Sequence, residues 1–197
     1  MDVSLSGLLD LARFTVRRPR EGAAKVLSLD LPIGARWGAL GLMAVISALL
    51  VHFSFNMQSA DIKEYFEQVM GRPIGTALLQ GVVLVISVFL IHFGGRLVGG
   101  RGRFEDAVVL VAWLQFILLC LQVVQLAVQM LAPPVADLIG LGGLGLFLWL
   151  LTNFVAELHG FSSLLRVFGG IVITFVVMVM VLSLVLAAVF GGAAVGA

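Results

Sequence analysis

Charge is what this chain of 197 residues has least of: 12% of it is Asp, Glu, Lys or Arg, about half the share of an ordinary soluble domain. The shortage is concentrated. Residues 37–55, 74–93, 107–131, 135–156 and 167–190 hold one formal charge between them, Asp137. Each run is close to or above the ~20 apolar residues that cross a bilayer as a helix. In lipid the backbone must bond to itself, so each run is expected to be helical. Little remains beyond an N-terminal segment and short loops, which excludes a separate soluble catalytic domain. The mean hydropathy of +1.15 agrees.

Cysteine is almost absent. Cys120 stands alone, which excludes an intramolecular disulfide and a thiolate metal framework. In mid-span it reads as a small hydrophobe. The first run starts only after a charged stretch of about 35 residues, unlike a cleaved signal peptide. Catalytic patterns are missing too: no nucleophile–base–acid set, no carboxylate pair within a span, no zinc-protease motif and no phosphate-binding loop. Gly140, Gly142 and Gly145 fit the letters of a dinucleotide fingerprint, but that fingerprint needs a preceding strand and these glycines lie inside a span. They are read instead as places where another helix approaches closely. His52 falls near the outer end of the first span and His92 near the inner end of the second, so the two are expected at opposite membrane faces and cannot share a metal. His92, His159 and Glu157 are a conceivable ligand set without ligand spacing, so His159 is expected to hold a loop by hydrogen bonds, with a Glu157–Arg166 pair nearby. No cofactor, metal or nucleic-acid partner is expected.

What is present is arginine, and it is placed unevenly. Counting the segments between spans alternately, ten of the twelve Lys and Arg residues fall on one side and only Lys63 and Arg72 on the other. Positive charge stays inside, so the N-terminus is expected to be cytoplasmic and the C-terminus periplasmic. The dominance of arginine over lysine hints at a GC-rich bacterial genome, hence a bacterial inner membrane. Residues 3–16 space Leu5, Leu8, Leu9, Ala12 and Val16 as one face of a helix. A second short helix, 19–29, starts at Pro19. These helices are expected either in the headgroup layer, with arginines on anionic lipid, or packed on the protein's own inner face. The external segment 56–73 is expected to hold a helix over 61–70, with a weak Lys63–Glu67 pair. Ala132-Pro133-Pro134 makes a tight turn, so the third and fourth spans should be antiparallel neighbours.

The expected fold is therefore all-α: a polytopic membrane bundle of five transmembrane helices over 36–197, preceded by an amphipathic interfacial segment over 1–35. Two groups of residues are candidates for function. Arg17, Arg18, Arg20, Arg101 and Arg103 form a basic face for lipid or partner. Gln115, Gln122, Gln125 and Gln129 share one stripe of the third span, with Gln80 and Ser87 of the second span placed to face it. Intramembrane amides either bond across packed helices, including those of a partner subunit, or line a polar route. Gly142 and Gly145 join the packing set. Phe175, Met178, Met180 and Phe190 in the last span read as lipid-facing or packing residues.

Three stretches carry a family resemblance: Arg18-Pro19-Arg20-Glu21 before the first span, Gly99-Gly100-Arg101-Gly102-Arg103-Phe104-Glu105-Asp106-Ala107 before the third, and Glu157-Leu158-His159-Gly160-Phe161-Ser162 before the last. They resemble the Yip-one domain of the Ypt-interacting protein (YIP) family, whose five-span, N-inside layout also fits. The resemblance implies a non-enzymatic membrane protein. Eukaryotic members serve the early secretory pathway and associate with small GTPases and with each other. The Asp-Leu-Tyr-Gly-Pro motif of those members is absent, the one tyrosine being Tyr65, so GTPase binding is not carried over. The expected function is that of a membrane-organising, assembly or accessory factor acting through lipid and other membrane proteins, further copies of itself among the candidates. The alternative is a small transporter or channel subunit.

Overall fold

The computed structural model describes residues 4–58 and 60–190; expectations for Val3 and for the side chain of Phe190 fall outside the described residues. Among them the chain forms eight helices: α1 (Leu5–Arg17), α2 (Pro19–Leu27), α3 (Ile33–Asn56), α4 (Ala60–Met70), α5 (Pro73–Leu97), α6 (Phe104–Gln129), α7 (Pro133–His159) and α8 (Leu164–Phe190). Five of them, α3 and α5 to α8, are long and apolar enough to cross a membrane.

Local chemistry sets the boundaries. The Ser4 hydroxyl caps α1 by accepting from the Gly7 N–H. Pro19 disfavours helical backbone in the residue before it, so Arg18 leaves the helical conformation (φ −136°, ψ 72°) and the chain turns directly into α2. Pro73 and Pro133 open α5 and α7, where a missing N–H is harmless. Gly160, at φ +74°, ends α7 in the left-handed conformation that glycine takes without a Cβ clash.

The hub is α6. Over an apolar stretch of 18 of its residues 56% are buried, against 6% for residues Leu164–Val181 of α8. It packs on α3, α5, α7 and α2, and α6 and α7 are adjacent as the proline turn requires. Residues 107–114 of α6 are all buried, and Leu150 of α7, Val88 of α5 and Val108 of α6 are sealed. Lipid is as apolar as leucine, so close packing rather than exclusion of water holds such helices together. Small residues allow it: Ala44 and Ala48 are buried on α3, and a Cβ on Gly81 of α5 would stand 3.9 Å from the Ala44 Cβ.

The amphipathic N-terminal segment is a hairpin. α1 and α2 share one core with the spans: Leu11, Ala12, Ala23 and Val26 cluster with residues of α3, α5, α6 and α7. Gly22 lies so close to Thr15 that a side chain there would overlap it. The Thr15 hydroxyl donates to the Leu11 carbonyl (2.7 Å) and accepts from the Trp113 indole N–H (3.3 Å). Trp113 is nine residues into α6, about 14 Å from its start. A helix of 26 residues is about 39 Å long, roughly 9 Å more than the hydrocarbon layer.

Candidate functional site at the arginine-bearing end of the bundle

The start of α3, the end of α5, the start of α6, the end of α7 and the start of α8 lie at one end of the bundle, together with the hairpin. Three segments far apart in sequence close on each other there.

The centre is His159, the last residue of α7 and 4% exposed. Its Nδ1 accepts from the Gly102 N–H (3.1 Å), and Nε2 lies 3.0 Å from the Ile91 carbonyl. An amide N–H can only donate, so Nδ1 is unprotonated, Nε2 carries the hydrogen, and the imidazole is neutral. The Arg101 N–H donates to the His159 carbonyl (3.4 Å). Gly95, Gly100 and Gly102 wrap the ring so closely that a Cβ on Gly95 or Gly100 would overlap it. Phe161 stacks on the ring with centroids 5.6 Å apart. The expectation that His159 holds a loop describes this clasp.

The neighbouring carboxylate is organised differently from the expectation. Glu157 pairs with Arg20 of α2 (Nε to Oε2, 3.2 Å), and Arg20 also donates to the Phe161 carbonyl (3.1 Å). No Glu157–Arg166 pair forms among the described residues; Arg20 of the hairpin holds Glu157 instead. His92 is not joined to the other two as a ligand set. It sits edge-on to Phe104 at 5.5 Å, and its Nδ1 is buried without a partner. No group of three candidate ligands occurs among the described residues.

A second tie was missed in the sequence. Arg36, in the first turn of α3, is buried. It donates to Asp106 of α6 (2.8 Å) and to the Leu31 carbonyl (2.6 Å), and pairs with Asp30 at 3.4 Å. Its signal was a basic residue and an acidic residue at the starts of two spans on the same side.

The five arginines expected on the basic face divide. Arg20 is turned inward, Arg18 pairs with Glu21 at 3.3 Å, and Arg103 lies 3.7 Å from Glu105. Arg17 and Arg101 are exposed and have no acid partner among the described residues. Arg101 stands over an open groove of about 470 Å³ formed with Gly99 and residues 157–161.

The glutamine stripe divides too. The Gln115 amide donates to the Ser47 hydroxyl of α3 (3.3 Å). Gln125 lies over Gly140, where a Cβ would stand 2.9 Å from its Nε2, and Leu121 covers Gly143. Gln122, Gln125 and Gln129 are half-buried, and no side-chain hydrogen bond within the chain involves them among the described residues. Gln80 is half-buried, and Ser87 bonds the Val83 carbonyl of its own helix, so neither is hydrogen-bonded to the stripe. Gly142 and Gly145 are exposed with nothing within 4 Å of a Cβ; of the glycines in α7's apolar stretch, Gly140 and Gly143 are the closely approached ones.

The segments 18–21, 99–107 and 157–162 are thus one structural unit. A family model, the Yip1 domain, matches residues 15–192. The chain belongs to the Yip1 domain family. No curated protein and no solved structure matches it. The Yip1 match starts at Thr15, the residue that ties α1 to Trp113, and covers all five spans. The chain is a multi-pass membrane protein of a family that is not a family of enzymes.

Proposed function

We propose that this Yip1 domain protein is an organising, assembly or accessory factor of a bacterial inner membrane. In this reading its arginine-bearing end is cytoplasmic and its C-terminus periplasmic, and it acts by contact with anionic lipid and with other membrane proteins, its own copies included. The observation that carries the reading is the set of half-buried amides at Gln122, Gln125 and Gln129. In hydrocarbon an amide seeks a polar partner, and each bond across packed helices contributes about 0.6 kcal/mol and up to about 2. A neighbouring helix from another chain supplies that partner. The polar groups of the clasp, by contrast, bond to each other, which makes it a scaffold rather than a reactive centre.

Purification in mild detergent followed by mass measurement tests this. A stoichiometric partner or a second copy is expected, and it should be lost on replacing Gln122 and Gln129 together by Leu. A monomer travelling alone from a native-lipid preparation would oppose the reading. The transporter or channel alternative has its own readout: cysteines placed at Gln122 and Gln125 would react with a water-soluble reagent if the stripe were a hydrated route, and would stay silent if it is packed.

A further inference from the structure

We propose that the corner made by the end of α5, the loop after it and the start of α8 binds the headgroups of anionic phospholipids. Arg96, Arg101 and Arg166 are exposed there, and none has an acid partner among the described residues. Elsewhere at this end the basic side chains are largely engaged: Arg13 with Asp10, Arg18 with Glu21, Arg20 with Glu157, Arg36 with Asp106, and Lys25 over the Phe14 ring. Arg17 is also unpaired, but it sits on the hairpin. Glu157, the acid nearest the corner in the groove, is already held by Arg20.

The same corner carries the most exposed apolar side chains of this end: Leu97 at 88%, Leu165 at 80% and Val98 at 71%. The two helices are joined there, since Ile91 of α5 packs in one cluster with Val167, Leu164 and Ile171 of α8. The position decides the occupant. Leu97 is the last residue of one candidate span and Leu165 the second of another, so the corner lies where hydrocarbon gives way to headgroups. Apolar side chains there enter the acyl region while the guanidinium groups reach phosphate. An arginine fork matches a phosphate with two parallel bonds. The inference deepens the lipid part of the function proposed above and moves it from Arg18, Arg20 and Arg103 to Arg96, Arg101 and Arg166.

The test uses the full chain in detergent, titrated with phosphatidylglycerol or phosphatidylcholine and read by native mass spectrometry. Wild type should favour phosphatidylglycerol. The triple variant Arg96→Gln, Arg101→Gln, Arg166→Gln should lose about tenfold or more in its affinity, while the control Arg13→Gln, Lys25→Gln changes less than about twofold. The corresponding triple lysine variant, which keeps the charge, should retain most of the binding. All variants are compared at equal helicity by circular dichroism. Undiminished phosphatidylglycerol binding by the glutamine triple would overturn the proposal. So would an equal loss in the control, or equal binding of the two lipids by wild type. Unchanged lipid binding with loss of a co-purifying protein would assign the corner to an acidic protein partner instead. A chain that binds phosphatidylglycerol here yet purifies alone would leave this inference standing while the reading from the glutamines fails.

Discussion

His159 and His92 sit in adjoining places and should answer mutation in opposite ways. His159→Leu removes the acceptor for the Gly102 N–H and the donor for the Ile91 carbonyl. Leaving buried groups unpaired costs about 1–3 kcal/mol each, so the thermal midpoint in detergent should fall clearly. His92→Leu removes a buried nitrogen that has no partner, so the midpoint should hold or rise. The Arg36–Asp106 pair gives a second test at this scale. Breaking a buried pair from one side costs about 3–5 kcal/mol, whereas replacing both partners by apolar residues of similar size is often neutral. Arg36→Met should therefore destabilise the protein more than Arg36→Met with Asp106→Leu in the same denaturant titration. The role of His159 was legible because a histidine beside a glycine-rich loop has obvious backbone partners. That of Arg20 was not: a helix of nine residues gives no sign of which carboxylate it will reach until the hairpin has docked.

Each long helix announced itself by length and lack of charge, because the thickness of a bilayer sets a minimum for both. Which helix would be central was hidden, since lipid-facing and protein-facing surfaces are equally apolar. The structure separates them. Leu150→Ala on α7 should cost about 2–5 kcal/mol, as a cavity in a sealed site does. Val176→Leu and Val179→Leu on α8 lie at exposed positions and should shift the midpoint by less than about 0.5 kcal/mol. The amphipathic helix α1 was legible in kind and misread in phase. Leu5 and Val16 were placed on its apolar face with Ala12, but they are exposed, and Leu11, Ala12 and Thr15 are the buried residues. A threonine on the inner face is invisible to an apolar count, yet it is what Trp113 bonds. α4 was likewise found where expected, with the Lys63–Glu67 pair at 3.9 Å, but only Phe66 of its apolar residues turns inward, stacking on Phe55 at 3.9 Å between centroids.

For the whole molecule, the proposed topology of five spans puts the two tails on opposite sides of the bilayer, with the arginine-bearing end cytoplasmic. A phosphatase-type reporter should be active when fused after Ala197 and silent when fused in the loop at Arg101. A cytoplasm-type reporter should give the reverse pattern. The Arg20–Glu157 tie has a further consequence, because it joins residues 137 positions apart. While the ribosome is still making the middle of the chain, the first two helices have no acid at the end of α7 to grip and no Gly160 turn to lie on. Before that they have only α6 and its neighbours to pack on, through contacts such as Thr15–Trp113, and full docking waits until four spans have left the insertion machinery. A nascent chain stalled before residue 157 would therefore offer its leading segment to proteases, and sensitivity of that segment to limited digestion should drop abruptly once stalled chains are lengthened past Phe161.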